Sequence, residues 1–150
     1  MTKPLWAALA VVLALAGPAE ARLGATAEQA SRHARSHGAS LTGATFYLKA
    51  GRVVSETLEA GETPMTRQAA DKLRAQLVGA RRLTATSTAG SAPSFVYADG
   101  TRVTYQLDGT HRVILIEATV GRYAKSPVSE YDGYTRIDDF KHQPWRGRPW

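Results

Sequence analysis

SFVYADGTRVTYQLDGTHRVILIEATV, residues 94–120, decides the fold. Two Asp-Gly pairs, Asp99-Gly100 and Asp108-Gly109, interrupt three runs rich in Val, Ile, Thr and Tyr. Asp-Gly between alternating apolar runs favours a two-residue type I′ hairpin turn, because both residues tolerate positive φ and the turn's twist matches that of the strands. Pairing across such turns puts Val96, Val103, Tyr105, Leu107, Ile114 and Ile116 on one face. Arg102, Thr104, Gln106, His111 and Glu117 fall on the other, with Phe95, Tyr97, Val113 and Leu115 mixed in. The segment therefore reads as a three-stranded antiparallel meander with one face under a helix.

Upstream, ATFYLK and RVVSETL, joined around Ala50-Gly51, read as another hairpin. Phe46, Leu48 and Val53 share its inner face, and Lys49, Arg52 and Glu56 its outer one. Two helices flank it. Thr26-Ala27-Glu28-Gln29 is a capping-box pattern opening a helix to about His37, ended by Gly38, with an inward stripe of Leu23, Ala27, Ala30 and Ala34. Thr63-Pro64 opens a second, Thr as N-cap and Pro at the first helical position. Its inward stripe is Met65, Ala69, Leu73 and Leu77, leaving Arg67, Asp71 and Arg74 for water. Gly79 ends it, and Arg81-Arg82 suit a helix C-terminus. The expected architecture is α+β: two helices packed on a mostly antiparallel hairpin and meander sheet. After Val120 periodicity stops, so 121–150 reads as an irregular basic and aromatic extension.

The first 21 residues read as a signal peptide: Lys3, an unbroken apolar run Leu5–Ala16, the breaker Gly17-Pro18, and Ala19-Glu20-Ala21 before a cut at Arg22. The apolar run is about 12 residues, shorter than the ~20 of a spanning helix. Cleavage leaves 22–150, with 22–120 as one α+β domain and 18 Lys or Arg against 12 Asp or Glu. A bacterial protein with this signal is expected in the periplasm or outside the cell. A pI near 9.9 draws it to polyanions, which there are envelope components or an anionic membrane surface more than nucleic acid. The absence of cysteine excludes disulfides, thiol catalysis and a lipid on an N-terminal Cys.

Catalytic patterns are sparse. His33 and His37 lie four apart on a helix, a spacing that two ligands of one metal can use, but zinc needs further ligands and only Glu28, His111 or His142 offer themselves; solvent-facing positions are the simpler account. No G-x-S-x-G turn surrounds Ser40, Ser91 or Ser94. Asp138-Asp139 and the spread Glu56, Glu59 and Glu62 are not an opposed carboxyl pair. No catalytic residue, metal site or cofactor is assigned. The distinctive element is KHQPWRGRPW, residues 141–150. Trp145 and Trp150 suit a bilayer interface while Lys141, Arg146 and Arg148 approach anionic groups, and Pro144 and Pro149 keep the segment extended.

Arg22-Leu23-Gly24-Ala25-Thr26-Ala27-Glu28-Gln29 resembles the R-L-G-x-T-x-x-Q opening of small exported bacterial proteins of uncharacterised function. Met65-Thr66-Arg67-Gln68, running to Leu77-Val78-Gly79, is similar to the G-M-T-x-x-Q helix of outer-membrane assembly lipoproteins and of the β-lactamase inhibitor protein family. Here Pro64 stands where those have glycine, and no lipid-bearing cysteine occurs. The resemblance implies a helix-on-sheet adaptor with protein partners. The expected role is a non-catalytic binding protein contacting an envelope component or protein partner; the alternatives are a secreted inhibitor of another enzyme and a small hydrolase or metal-dependent enzyme.

Overall fold

The computed structural model describes residues 23–36, 41–88, 90, 92–124 and 133–139. Residues 1–21, expected to be a signal peptide, His37, Ser40, Ser91, His142 and the tail residues Lys141, Trp145, Arg146, Arg148 and Trp150 lie outside these. Two helices, α1 (Ala27–Ser36) and α2 (Arg67–Val78), accompany seven strands. The strands are β1 (Leu41–Lys49), β2 (Arg52–Ala60), β3 (Leu83–Ser87), β4 (Ser94–Tyr97), β5 (Arg102–Leu107), β6 (Val113–Thr119) and β7 (Thr135–Asp139). They form one open sheet in the order β3-β4-β5-β6-β2-β1-β7, antiparallel at every pairing. The mixed α+β class holds. Ala30 of α1 and Ala70, Leu73 and Leu77 of α2 share one core with Phe46, Leu58, Val103, Tyr105, Val113 and Ile116 of the strands.

The capping box forms as written: the Thr26 N–H donates to Gln29 Oε1 at 3.0 Å and the Gln29 N–H to Thr26 Oγ1 at 3.3 Å. The second helix starts later than expected. Thr66, not Thr63, is the N-cap, its hydroxyl accepting from Ala69 N–H at 3.2 Å. Met65 is held outside the helix by a two-way backbone bridge to Val113. Two strands were not legible. Leu83–Ser87 forms β3, the exposed edge next to β4, and Thr135–Asp139 forms β7 along β1, so 121–150 is not irregular throughout.

The turns invert the expectation. At the first Asp-Gly only Gly100 takes positive φ (84°), the Gly100 N–H donates to Tyr97 O, and the Tyr97 N–H to Thr101 O. That is a three-residue loop, Ala98 to Gly100, with the glycine in the bulge position. Pairing moves by one residue, so Phe95 faces Val103 and Val96 faces Arg102. Phe95 and Tyr97 are therefore buried, and Val96 leaves the inner face, because a one-residue slip reverses every side chain. At the second, Asp108 precedes the loop and His111 carries the positive φ (63°). The Asp108 Oδ1 accepts from the Thr110 hydroxyl (2.7 Å), Thr110 N–H (2.8 Å) and Arg112 N–H (3.0 Å), and these bonds, the Thr110 hydroxyl first, hold its carboxyl below the usual range. Beyond it, Leu107 pairs with Val113 and Gln106 with Leu115, so Ile114 is bulged outward and exposed.

The type I′ geometry belongs to Ala50-Gly51 instead, with φ of 53° and 75°. An L-residue with a Cβ at φ near +53° is strained by about 1 kcal/mol. Ala50→Asn should raise stability by roughly that amount, since Asn tolerates the left-handed region and keeps the unfolded chain no freer than alanine does. Ala50→Gly should gain less because of its added unfolded-state entropy. Thermal denaturation of both variants beside wild type measures it; a fall in Tm for Ala50→Asn would contradict the turn.

In the same hairpin the pairs Leu48↔Val53 and Tyr47↔Ser55 leave Val54 as an extra residue. This bulge turns Glu56 inward, opposite Phe46 and Ala118, where it is 0 % exposed. The outer placement of Glu56 is thus overturned; Lys49 and Arg52 are exposed as expected.

Candidate functional site at the basic end of the sheet

Alternating strand direction brings distant residues to common ends. One end of the sheet carries the β1–β2 turn, the start of β3, the β4–β5 turn, the end of β6 and the start of β7. Lys49 and Arg52 bracket the first turn. Arg82 immediately precedes β3, its carbonyl accepting from Ala98 N–H at 2.8 Å, and Arg102 opens β5. Arg122 lies in the single 3₁₀ turn Gly121–Tyr123 after β6. All five side chains are exposed. Neighbouring strands are about 4.8 Å apart, so the row, from Arg82 at β3 to Lys49 at β1, spans about 24 Å.

Aromatic rings lie among these cations. Lys49 Nζ is 4.8 Å from the Tyr134 ring centroid, Tyr134 meets Tyr123 edge-on at 5.7 Å, and the Arg122 guanidinium is 5.9 Å from the Tyr123 ring. Leu83, at the start of β3, is 44 % exposed at the same end. Two acids near these turns, Asp99 and Glu28, are already engaged, while Glu117 stands exposed on β6 opposite Thr104, two residues in from the end. Asp99 accepts from Arg81 Nε at 2.9 Å, and Glu28 pairs with Arg32 one helical turn along α1. Burial alone would raise the Asp99 carboxyl, but bonds from Thr101 and Arg81 outweigh it and lower it. Arg81 also donates to Val78 O at 2.9 Å, which makes it the helix-end cation its position suggested; Arg82 points free of it. The far end of the sheet is mixed, with Glu59, Glu62 and Asp108 beside Arg67 and Arg112.

A second polar cluster lies between α2 and the sheet. Arg74 donates to Tyr105 Oη (2.9 Å), Tyr97 Oη (3.0 Å) and Asp71 Oδ1 (3.4 Å), and its guanidinium stacks 3.8 Å from the Phe95 ring centroid. The Tyr105 hydroxyl donates to Asp71 Oδ1 at 2.7 Å. Burial, then the bond to Asp71, pushes the Tyr105 phenol up, so it stays protonated. Desolvation pulls Arg74 down, but the two phenols more than compensate and its pKa rises. Arg74 thus turns toward the sheet, where Phe95, Tyr97 and Tyr105 on the inner face receive it, which corrects its expected water-facing position; Arg67 and Asp71 reach Tyr105 but keep side chains 41 % and 44 % exposed. With each of its three guanidinium nitrogens hydrogen-bonded, Arg74 is a clamp joining helix to sheet.

Among the described residues the other candidates do not converge. His111 sits in the exposed β5–β6 turn, at the end opposite the basic row. No group of three or more His, Cys, Asp or Glu suited to a metal occurs among the described residues. Glu56 is buried while Glu59 and Glu62 are exposed, and Asp138 is taken by Thr45 Oγ1 (3.0 Å) and Arg136 Nε (3.1 Å). No helix among the described residues is long and apolar enough to cross a membrane. Lys49, Arg52, Arg102 and Arg122 are up to 73 positions apart in the chain, and only the sheet order unites them. The local hint was a cation on each side of Ala50-Gly51.

Fold and surface define a class: a single-sheet α+β domain with one cationic, aromatic end. Compared with known proteins, the chain matches no family model, no curated sequence and no solved structure.

Proposed function

We propose that the protein is an exported, non-catalytic binding domain that contacts an anionic cell-envelope component, or a protein partner with an acidic face, through the basic end of its sheet. Lys141, Trp145, Arg146, Arg148 and Trp150 add a second contact. Ala30, Ala70, Leu73 and Leu77 of the helices share the core with the strands, and this reading assigns binding to the sheet's cationic end and the tail. The observation that carries the reading is the concentration of five exposed cations at one end, with Asp99 and Glu28 there already paired. An unpaired array of like charge costs stability through self-repulsion, and an anionic partner relieves that cost.

Affinity capture from native envelope extract, with the full protein and a variant lacking 141–150 side by side, tests this. Deletion of the tail should leave Tm within about 2 °C of the full protein, the shift expected for ~0.5 kcal/mol at this size, and reduce capture several-fold. A large loss of Tm with unchanged capture would mean that the tail packs on the domain instead of binding.

A further inference from the structure

Resting on that reading, we infer that the partner of the basic end is the anionic headgroup layer of a lipid bilayer, on which the sheet stands end-on. The geometry favours a planar target. Lys49, Arg52, Arg82, Arg102 and Arg122 are strung along the row of turns, one each at the ends of β1, β2, β3, β5 and β6, and do not converge on a point. A single phosphate is held by donors aimed at one centre, and a nucleic-acid strand by a groove with stacking platforms. A line of separated charges instead matches a surface of separated charges.

The apolar groups agree. Tyr123 and Tyr134 are half-buried among the cations, and Leu83 is exposed beside Arg82. Tyrosines favour the bilayer interface, with ring in the apolar boundary and hydroxyl among headgroups, while the flanking cations stay at phosphate level. The mixed far end gives the molecule a charge asymmetry along the strands, so a negative surface potential turns the basic end toward the membrane.

The test uses the protein with sedimented vesicles of phosphatidylcholine alone and with about 30 % phosphatidylglycerol. Each basic residue near such a surface strengthens partitioning about five-fold. The double variant Lys49→Gln/Arg122→Gln should therefore lose about 30-fold on the anionic vesicles, whereas Lys72→Gln/Arg112→Gln, away from this end, should lose no more than about two-fold. All four residues are exposed, and Tm confirms that each variant folds. Soluble inorganic polyphosphate serves as the alternative anion. The inference is supported by loss confined to the first pair together with negligible binding to phosphatidylcholine. Equal losses for both pairs overturn it, showing net charge and not this end at work. Binding to polyphosphate but not to vesicles also overturns it, while leaving the anionic-partner reading standing. If vesicles, polyphosphate and envelope extract are all ignored, both readings fail.

Discussion

Gly121→Ala should destabilise the protein by about 3 kcal/mol, the upper end of what overpacking costs when neighbours cannot yield. A Cβ at this position would overlap the carbonyl oxygen of Asp99 and come within 2.8 Å of the Asp99 and Gly100 carbonyl carbons. These are backbone atoms of a turn fixed by the Tyr97–Thr101 and Gly100–Tyr97 bonds, so no rotamer change relieves the contact. Gly100 approaches from its own side, where an added Cβ would lie 3.4 Å from Gly121 Cα. Displacing the turn would also draw Asp99 away from Arg81 and loosen the Arg81–Val78 tie to α2. At about 4 °C per kcal/mol for a chain this size, Tm should fall by about 12 °C. Gly109→Ala is the control: its Cβ would meet nothing within 4 Å, and a change under ~0.5 kcal/mol is expected. If the two variants melt together, the close approach of the two turns is wrong.

Arg74→Ala should cost a similar amount, about 3 kcal/mol. The side chain is 18 % exposed and makes three hydrogen bonds to Tyr105, Tyr97 and Asp71 besides stacking on Phe95. Bonds from a charged donor contribute roughly 1.5–3 kcal/mol singly and less when they share one side chain, and truncation also strands the Tyr97 phenol and leaves a gap against Phe95, while Tyr105 keeps its bond to Asp71. Arg74→Lys should recover less than half, because a single ammonium cannot reproduce the planar fork that reaches two hydroxyls while lying flat on a ring. Tyr105→Phe removes one donor and one acceptor and should cost about 1–2 kcal/mol. A double-mutant cycle of Arg74→Ala with Tyr105→Phe by urea unfolding should give a coupling of at least ~0.5 kcal/mol. Strict additivity would show that the two side chains do not interact.

Both features lay beyond reading along the chain, for different physical reasons. The Arg74 clamp was hidden by one residue of register. With two-residue Asp-Gly turns, Phe95 and Tyr97 point outward and Arg74 has no ring to meet; with a three-residue loop closed by Gly100, both turn inward. The dipeptide identifies a turn, but its length depends on the core each alternative would bury, a tertiary quantity. Glu56 was misplaced by the Val54 bulge, which accommodates the pairing of β2 with β1 on one side and β6 on the other; the Val120 N–H donates to Val54 O at 2.8 Å. Thr63-Pro64 carries a sound helix-start pattern, yet Thr66 won because Met65 could exchange two backbone bonds with Val113. β3 and β7 escaped notice because edge strands need bury little, and their sequences show no strong apolar alternation.

What the sequence determined by itself was local: the capping box at Thr26 and Gln29, the helix stripe Leu73 and Leu77 ending at Gly79, the hairpin at Ala50-Gly51, and the Phe46, Leu48 and Val53 face. Each depends on residues a few positions apart, whose geometry follows from backbone preference and period. Sheet order, register and bulges were decided only in the tertiary structure, because they express competition among strands for one core. The basic end follows from that order alone. Lys49, Arg102 and Arg122 have no relation along the chain; alternation of strand direction across an antiparallel sheet sets them in one row.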